Sequence, residues 1–127
     1  MSESPKIKNV VWIASTLKDL KSFPDDVKDV IGFALYQAQI GRKSLSAKPL
    51  SGFGGAGVLE IIDDYQADTY RAVHTVRFSD LVYVLHVFQK KSKKGIATPK
   101  PDMDIIRKRL KLAEEDHKAR QSKGTGQ

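Results

Sequence analysis

Residues 70–89 read YRAVHTVRFSDLVYVLHVFQ, and this stretch decides the fold. Two runs rich in valine, leucine and aromatic residues flank Ser79-Asp80, which is the composition of two strands joined by a short turn. With Ser79-Asp80 as a two-residue loop, Phe78 stands opposite Leu81 and the pairing counts outward from there. Side chains alternate between faces along a strand, and directly opposed residues share a face. One face then carries Tyr70, Ala72, His74, Val76, Phe78, Leu81, Tyr83, Leu85 and Val87, an apolar surface for a helix to cover. The other carries Arg71, Val73, Thr75, Arg77, Val82, Val84, His86, Phe88 and Lys90. On it Arg71 lies opposite Phe88, and His86 is one diagonal step away. An arginine, a histidine and a lysine gathered toward one end of an otherwise apolar face do not minimise desolvation cost. That end is the candidate site.

Upstream of the hairpin, Val58–Ile62 reads as a third strand and Asn9–Ala14 as a first one. A short helix is predicted over Thr16–Lys21. A longer one begins near Pro24, with Asp25 and Asp26 favouring its positive end. Val27, Val30, Ile31, Ala34, Leu35 and Ala38 then recur at spacings of three and four, and Gly41 is a fitting terminator. Residues 42–57, with Pro49 and several glycines, read as a loop. Gly41-Arg42-Lys43-Ser44 is not a phosphate loop, because the leading glycine and the preceding strand are both missing. Gly52-Phe53-Gly54-Gly55 is better read as a tight turn than as a phosphate cradle. Beyond Pro99 and Pro101 a last helix is predicted from about Asp102 to Lys118, burying Met103, Ile106, Leu110 and Ala113. The order β-α-α-β-β-β-α makes an α+β fold, a small antiparallel-rich sheet with two N-terminal helices on one face and a C-terminal helix. One domain spans 9–118, and 1–8 and 119–127 are expected to be flexible tails.

The chain has 127 residues, a formal net charge of +7 and no cysteine. One modest core fits that length. Thiolate chemistry and disulfides are excluded, and His74, His86 and His117 lack the spacing of a metal pair. No cofactor is indicated. Neither a signal peptide nor a membrane span is legible, so a cytoplasmic protein is expected. The positive charge points to a polyanionic partner and is concentrated late in the chain, at Lys90-Lys91-Ser92-Lys93-Lys94 and Arg107-Lys108-Arg109.

Arg71, His86 and Lys90 suit cleavage of an RNA phosphodiester by its own 2′-oxygen. Such a reaction needs a base, a charge stabiliser and an acid for the leaving 5′-oxygen. Arg71 presents a fork to phosphate oxygens and cannot be the base. His86 could serve as acid or base, Glu60 is a further candidate base, and Lys90 or Lys91 could join proton transfer. Arg77, Lys48, Lys93 and Lys94 would bind RNA. The plainer readings are an Arg71–Glu60 structural ion pair, a hydrogen-bonded sheet histidine at His86, and a solvated lysine run. His74 reads as a core histidine, and His117 as a complement to a helix dipole.

From about Asn9 to Lys118 the chain resembles the phage-derived Gp49-like branch of the RelE/HigB toxin superfamily. The segments that carry the likeness are Lys48-Pro-Leu-Ser-Gly-Phe-Gly-Gly, Val58-Leu-Glu-Ile, Thr69-Tyr-Arg-Ala-Val, Val82-Tyr-Val-Leu-His-Val-Phe-Gln-Lys-Lys-Ser and Thr98-Pro. The resemblance implies a microbial-RNase-like fold, cleavage of mRNA on the ribosome, and a helix-turn-helix antitoxin as partner. It places Arg71 at the superfamily's central-strand arginine and Lys91 at its basic residue after the last long strand. Two features of RelE-type toxins are absent. Glu60 stands where they carry paired lysines, and their late tyrosine has no match after Lys94. Two other functions remain open: a ParE-type gyrase inhibitor without catalysis, and a non-catalytic RNA- or protein-binding module.

Overall fold

The computed structural model describes residues 6–54, 57–91 and 97–125. Its elements are β1 (Asn9–Trp12), α1 (Thr16–Lys21), α2 (Asp25–Gln39), β2 (Ala47–Pro49), β3 (Val58–Tyr65), β4 (Asp68–Thr75), β5 (Leu81–Lys90) and α3 (Lys100–Thr125). The sheet is five-stranded in the order β1-β5-β4-β3-β2, antiparallel except where β1 runs parallel to β5.

Strand β2 lies in the stretch that reads as a loop. Proline and glycine argue against a central strand, but β2 is an edge: Ala47, Lys48 and Pro49 pair with Ile61, Glu60 and Leu59, and no second ladder asks Pro49 for an N–H. Strand β3 runs past Ile62 to Tyr65, and the turn Gln66-Ala67 returns it into β4. Asp63, Asp64 and Asp68 are poor strand formers, which hides this hairpin in the sequence. The turn is closed by the Thr69 hydroxyl donating to Asp64 at 2.8 Å.

The β4–β5 pairing departs from the two-residue loop, because residues 76–80 all lie outside the strands. Arg71 faces Phe88 and Val73 faces His86 as counted, but His74 faces Val84, so Leu85 is a bulge. Beyond it the register slips by one, and a slip of one exchanges faces. Val82 and Val84 therefore join the cluster under α2, while Leu81, Tyr83 and Leu85 join the cluster under α3. This corrects the face assignment drawn from a flat hairpin. At the closed end the Thr75 hydroxyl accepts from the Tyr83 N–H at 3.1 Å, and Val76 N–H donates to the Gly57 carbonyl at 2.9 Å. Gly57 has φ +99° and lies against Arg77, whose Cβ is 2.9 Å from where a Cβ on Gly57 would stand, so only glycine fits.

Two apolar layers enclose the sheet. Val27, Ile31, Ala34, Leu35 and Ala38 of α2, with Leu20 of α1, cover Leu59, Ile61, Ala72, Val82 and Val84. Ile106 and Ala113 of α3 cover Val58, Val73, Leu81, Tyr83 and Leu85. Each fully buried isoleucine contributes about 1.5–3 kcal/mol relative to leaving it in water. Helix α3 continues beyond Lys118 to Thr125. Contacts one turn apart carry it on: Arg120 donates to Asp116 at 2.6 Å, and Gln121 lies 3.3 Å from His117. The same turn is tied to the sheet. Tyr83 Oη donates to Asp116 at 2.7 Å, and His117 bonds Asp80 at 2.8 Å while its ring lies on Phe78. His117 is thus a tether in mid-helix rather than a last-turn complement to the dipole. Bonds from Arg120 and Tyr83 hold the Asp116 carboxyl below its usual range.

Candidate functional site

A groove of about 760 Å³ opens between β2, β3 and the residues leading into α3. Glu60, Ile62 and Asp64 of β3 and Arg71 of β4 line it, with Lys48 of β2 and Thr98 and Met103 on its walls. Alternation puts Glu60, Ile62 and Asp64 on one face, and the antiparallel register brings Arg71 opposite Ile62. Lys48 stands opposite Glu60 in the β2–β3 ladder and is exposed at the rim.

The base of the groove is a buried polar triad. Arg71 Nη1 lies 3.6 Å from Glu60 Oε2, with side-chain exposures of 2% and 3%. The Thr98 hydroxyl donates to Glu60 Oε2 at 2.8 Å and accepts from Arg71 Nη1 at 3.3 Å. A charge pair this deep in the protein is stable only because further hydrogen bonds complete it. Carboxylate, guanidinium and hydroxyl converge at the base of the groove, beside Ile62. The arrangement can accept a proton at Glu60 and hold an anionic oxygen at Arg71.

His86 is on the same face but under α3. Its Nε2 lies 2.7 Å from Asp102 Oδ1, and its Nδ1 lies 3.4 Å from Nη1 of Arg109, which also donates to the Leu85 carbonyl at 3.0 Å. The ring stacks on Phe88 with centroids 4.6 Å apart. These contacts assign the proton to Nε2, with Nδ1 accepting from Arg109. Asp102→Ala should release this tautomer, giving a mixture in long-range proton–nitrogen NMR spectra and a stability loss of about 1 kcal/mol.

The residues singled out from sequence are thus divided. Glu60 and Arg71 meet at the groove base and Lys48 lines the rim. His86 does not line the groove, and both its ring nitrogens are engaged by α3. Lys90, opposite Thr69 at the open end of β5, is half-buried, and Lys91 follows it exposed. Arg77 is not part of the group: it lies beyond the opposite end of β4 and pairs with Glu114 at 2.9 Å. Lys93 and Lys94 lie outside the described residues. Thr98, Asp102 and Arg109 were not picked out. Thr98-Pro is visible as a motif and Asp102 as the start of the last helix, but only the packing of α3 across the sheet gives them partners. Among the described residues no three His, Asp or Glu side chains form a group able to hold a metal ion. No helix there is long and apolar enough to cross a membrane.

A small mixed α/β domain with a charged groove at one sheet edge is the class that this geometry defines. The family model for phage-derived Gp49-like proteins (DUF891) matches residues 18–111, from α1 into α3, and the chain belongs to that family. The family is associated with the RelE/HigB toxin superfamily. No curated protein and no solved structure gives a match.

Proposed function

We propose that the protein is the toxin of a toxin–antitoxin pair and an endonuclease that cuts mRNA on the ribosome. The observation that carries this reading is the Glu60–Arg71–Thr98 triad at the base of an open groove with Lys48 on its rim. In this mechanism Lys48 holds a flanking phosphate at the mouth. Glu60 takes the proton from the ribose 2′-hydroxyl, whose oxygen attacks the adjacent phosphorus. Arg71 stabilises the charge gathered on the phosphoryl oxygens, which its fixed fork does better than a lysine. Lys90 or Lys91, at the open end of the strand next to Arg71, returns a proton to the departing 5′-oxygen. The products are a 2′,3′-cyclic phosphate and a free 5′-hydroxyl. His86, held by Asp102 and Arg109, has the proton-transfer chemistry to assist if α3 shifts, and otherwise orders Phe88 behind Arg71. A helix-turn-helix antitoxin would be the cellular partner.

The test is primer extension on a defined mRNA in a reconstituted translation system, with Arg71→Lys beside the native protein. Arg71→Lys keeps the charge and removes the fork, so cleavage should fall about a hundredfold or more while the chain remains folded, checked by circular dichroism. Intact mRNA from a protein that still arrests growth would point instead to a binding-only inhibitor of gyrase.

A further inference from the structure

The outer side of α2 is not used by the groove above, and its composition is unusual for a free surface. Among the described residues Phe33 is 60% exposed, Tyr36 45% and Leu45 106%. Phe33 and Tyr36 lie one turn apart on α2, so they are neighbours on the helix surface. Phe33 and Leu45 line a hollow of about 530 Å³ beside the helix. A second hollow of about 330 Å³ lies at the C-terminal end of α2, walled by Lys8, Arg42 and Lys43 over an apolar floor that includes Leu59 and Val76. Lys43 lines both, so the two adjoin along one side of α2 and together make a trough. The charge is polarised along the trough. Asp29 stands in the first hollow, Lys8 and Arg42 in the second, and Lys43 between them. Among the described residues Arg42 and Lys43 enter no ion pair.

We propose that this trough docks an acidic amphipathic helix of a protein partner, its apolar side chains on Phe33 and Leu45 and its carboxylates over Lys8, Arg42 and Lys43. An exposed phenylalanine and leucine lining one hollow, beside a second floored by Leu59 and Val76, are the elements of helix-in-groove recognition. From Asp29 to Gln39 the helix rises about 15 Å, which about three turns of a partner helix would cover. RNA fits less well, since it would lie on aliphatic side chains and meet Asp29. The inference stands apart from RNA cleavage, because none of its contact residues belongs to the triad. Leu45 nevertheless also lines the groove above Glu60 and Arg71, so an occupant of the trough borders that site.

Fluorescence anisotropy with the full chain tests it. The probes are a labelled helical peptide of about 14 residues with leucine on one face and glutamate elsewhere, its lysine counterpart, and a single-stranded RNA. The acidic peptide should bind at least about tenfold tighter than the basic one. Leu45→Ser and Phe33→Ser should each weaken it about tenfold, and Lys43→Glu should erase the preference for acid. All three side chains are exposed, so these variants keep the fold. No saturable binding of the acidic peptide, affinity unchanged in Leu45→Ser and Lys43→Glu, or displacement of the peptide by RNA would each overturn the proposal. So would sedimentation of the native chain as a dimer that Leu45→Ser dissociates, since a second copy would then be the occupant.

Discussion

Glu60→Ala should lower the free energy of unfolding by about 3–5 kcal/mol, a large share of the total stability of a domain of this size. Glu60 and Arg71 have side-chain exposures of 3% and 2%, and Thr98 bonds to both. Removing the carboxylate takes away the acid that the buried guanidinium faces at 3.6 Å, and Arg71 cannot adapt by losing a proton. The expected readout is a lower urea midpoint at unchanged slope, because the surface exposed on unfolding is the same. Replacing both partners, as in Glu60→Leu with Arg71→Met, should recover most of the loss, since an apolar pair of similar volume is often neutral or better. A cost below about 1 kcal/mol for Glu60→Ala would mean the pair behaves as a solvated one. Stability recovered in the double variant, with cleavage absent, would separate the structural role of the pair from its chemical one.

The second large effect is a loss of stability in mild acid that depends on His74. Its side chain lies under α2 between Leu59 and Val84, is 1% exposed, and neither ring nitrogen has a hydrogen-bond partner among the described residues. Burial lowers its pKa from the ordinary 6.5 to about 4. Between those values the unfolded chain binds a proton that the folded chain refuses. The stabilising contribution is therefore complete above about pH 6.5 and is lost as the pH falls toward 4, by about 3 kcal/mol in all. His74→Leu should flatten the stability profile across that window. The carboxyls of Asp80 and Asp116, lowered by their bonds to His117 and Arg120, act at more acidic pH and should be untouched by the substitution. A profile equally steep in His74→Leu would move the acid sensitivity elsewhere.

Periodicity made the helices and the long strands legible. Thr16–Lys21 and the apolar stripe from Val27 to Ala38 lie where their spacing put them. The outer half of the β4–β5 register was also legible, because the one-residue bulge at Leu85 offsets the odd register of the closed end and leaves Arg71 opposite Phe88 as counted from Ser79-Asp80. The bulge at Leu85 was not. Leu81 to Val87 is apolar at every position but one, and alternation carries no information where both faces are buried. Strand β2 was hidden for the reason that edges are generally hidden, since they tolerate the residues that mark loops. In the site, Glu60 and Arg71 could be paired because both lie on long strands of readable parity. Thr98, Asp102 and Arg109 could not, since a helix crossing a sheet has no local signal for which strand residue it meets.

One consequence of the strand order concerns the chain while it is being made. Strand β1 precedes every other strand in the sequence, yet its sheet neighbour is β5, and Asn9 pairs with Leu81. The apolar faces of α1 and α2 likewise rest on strands that follow them in sequence. An emerging chain therefore holds both helices and a lone strand with nothing to bury them against. Pairing across so long a separation is entropically late, and the first third of the protein stays exposed until residue 90 has left the exit tunnel. The groove between β2, β3 and α3 is completed later still, by the last helix. The candidate site is thus shaped only once α3 has crossed a sheet that is already paired.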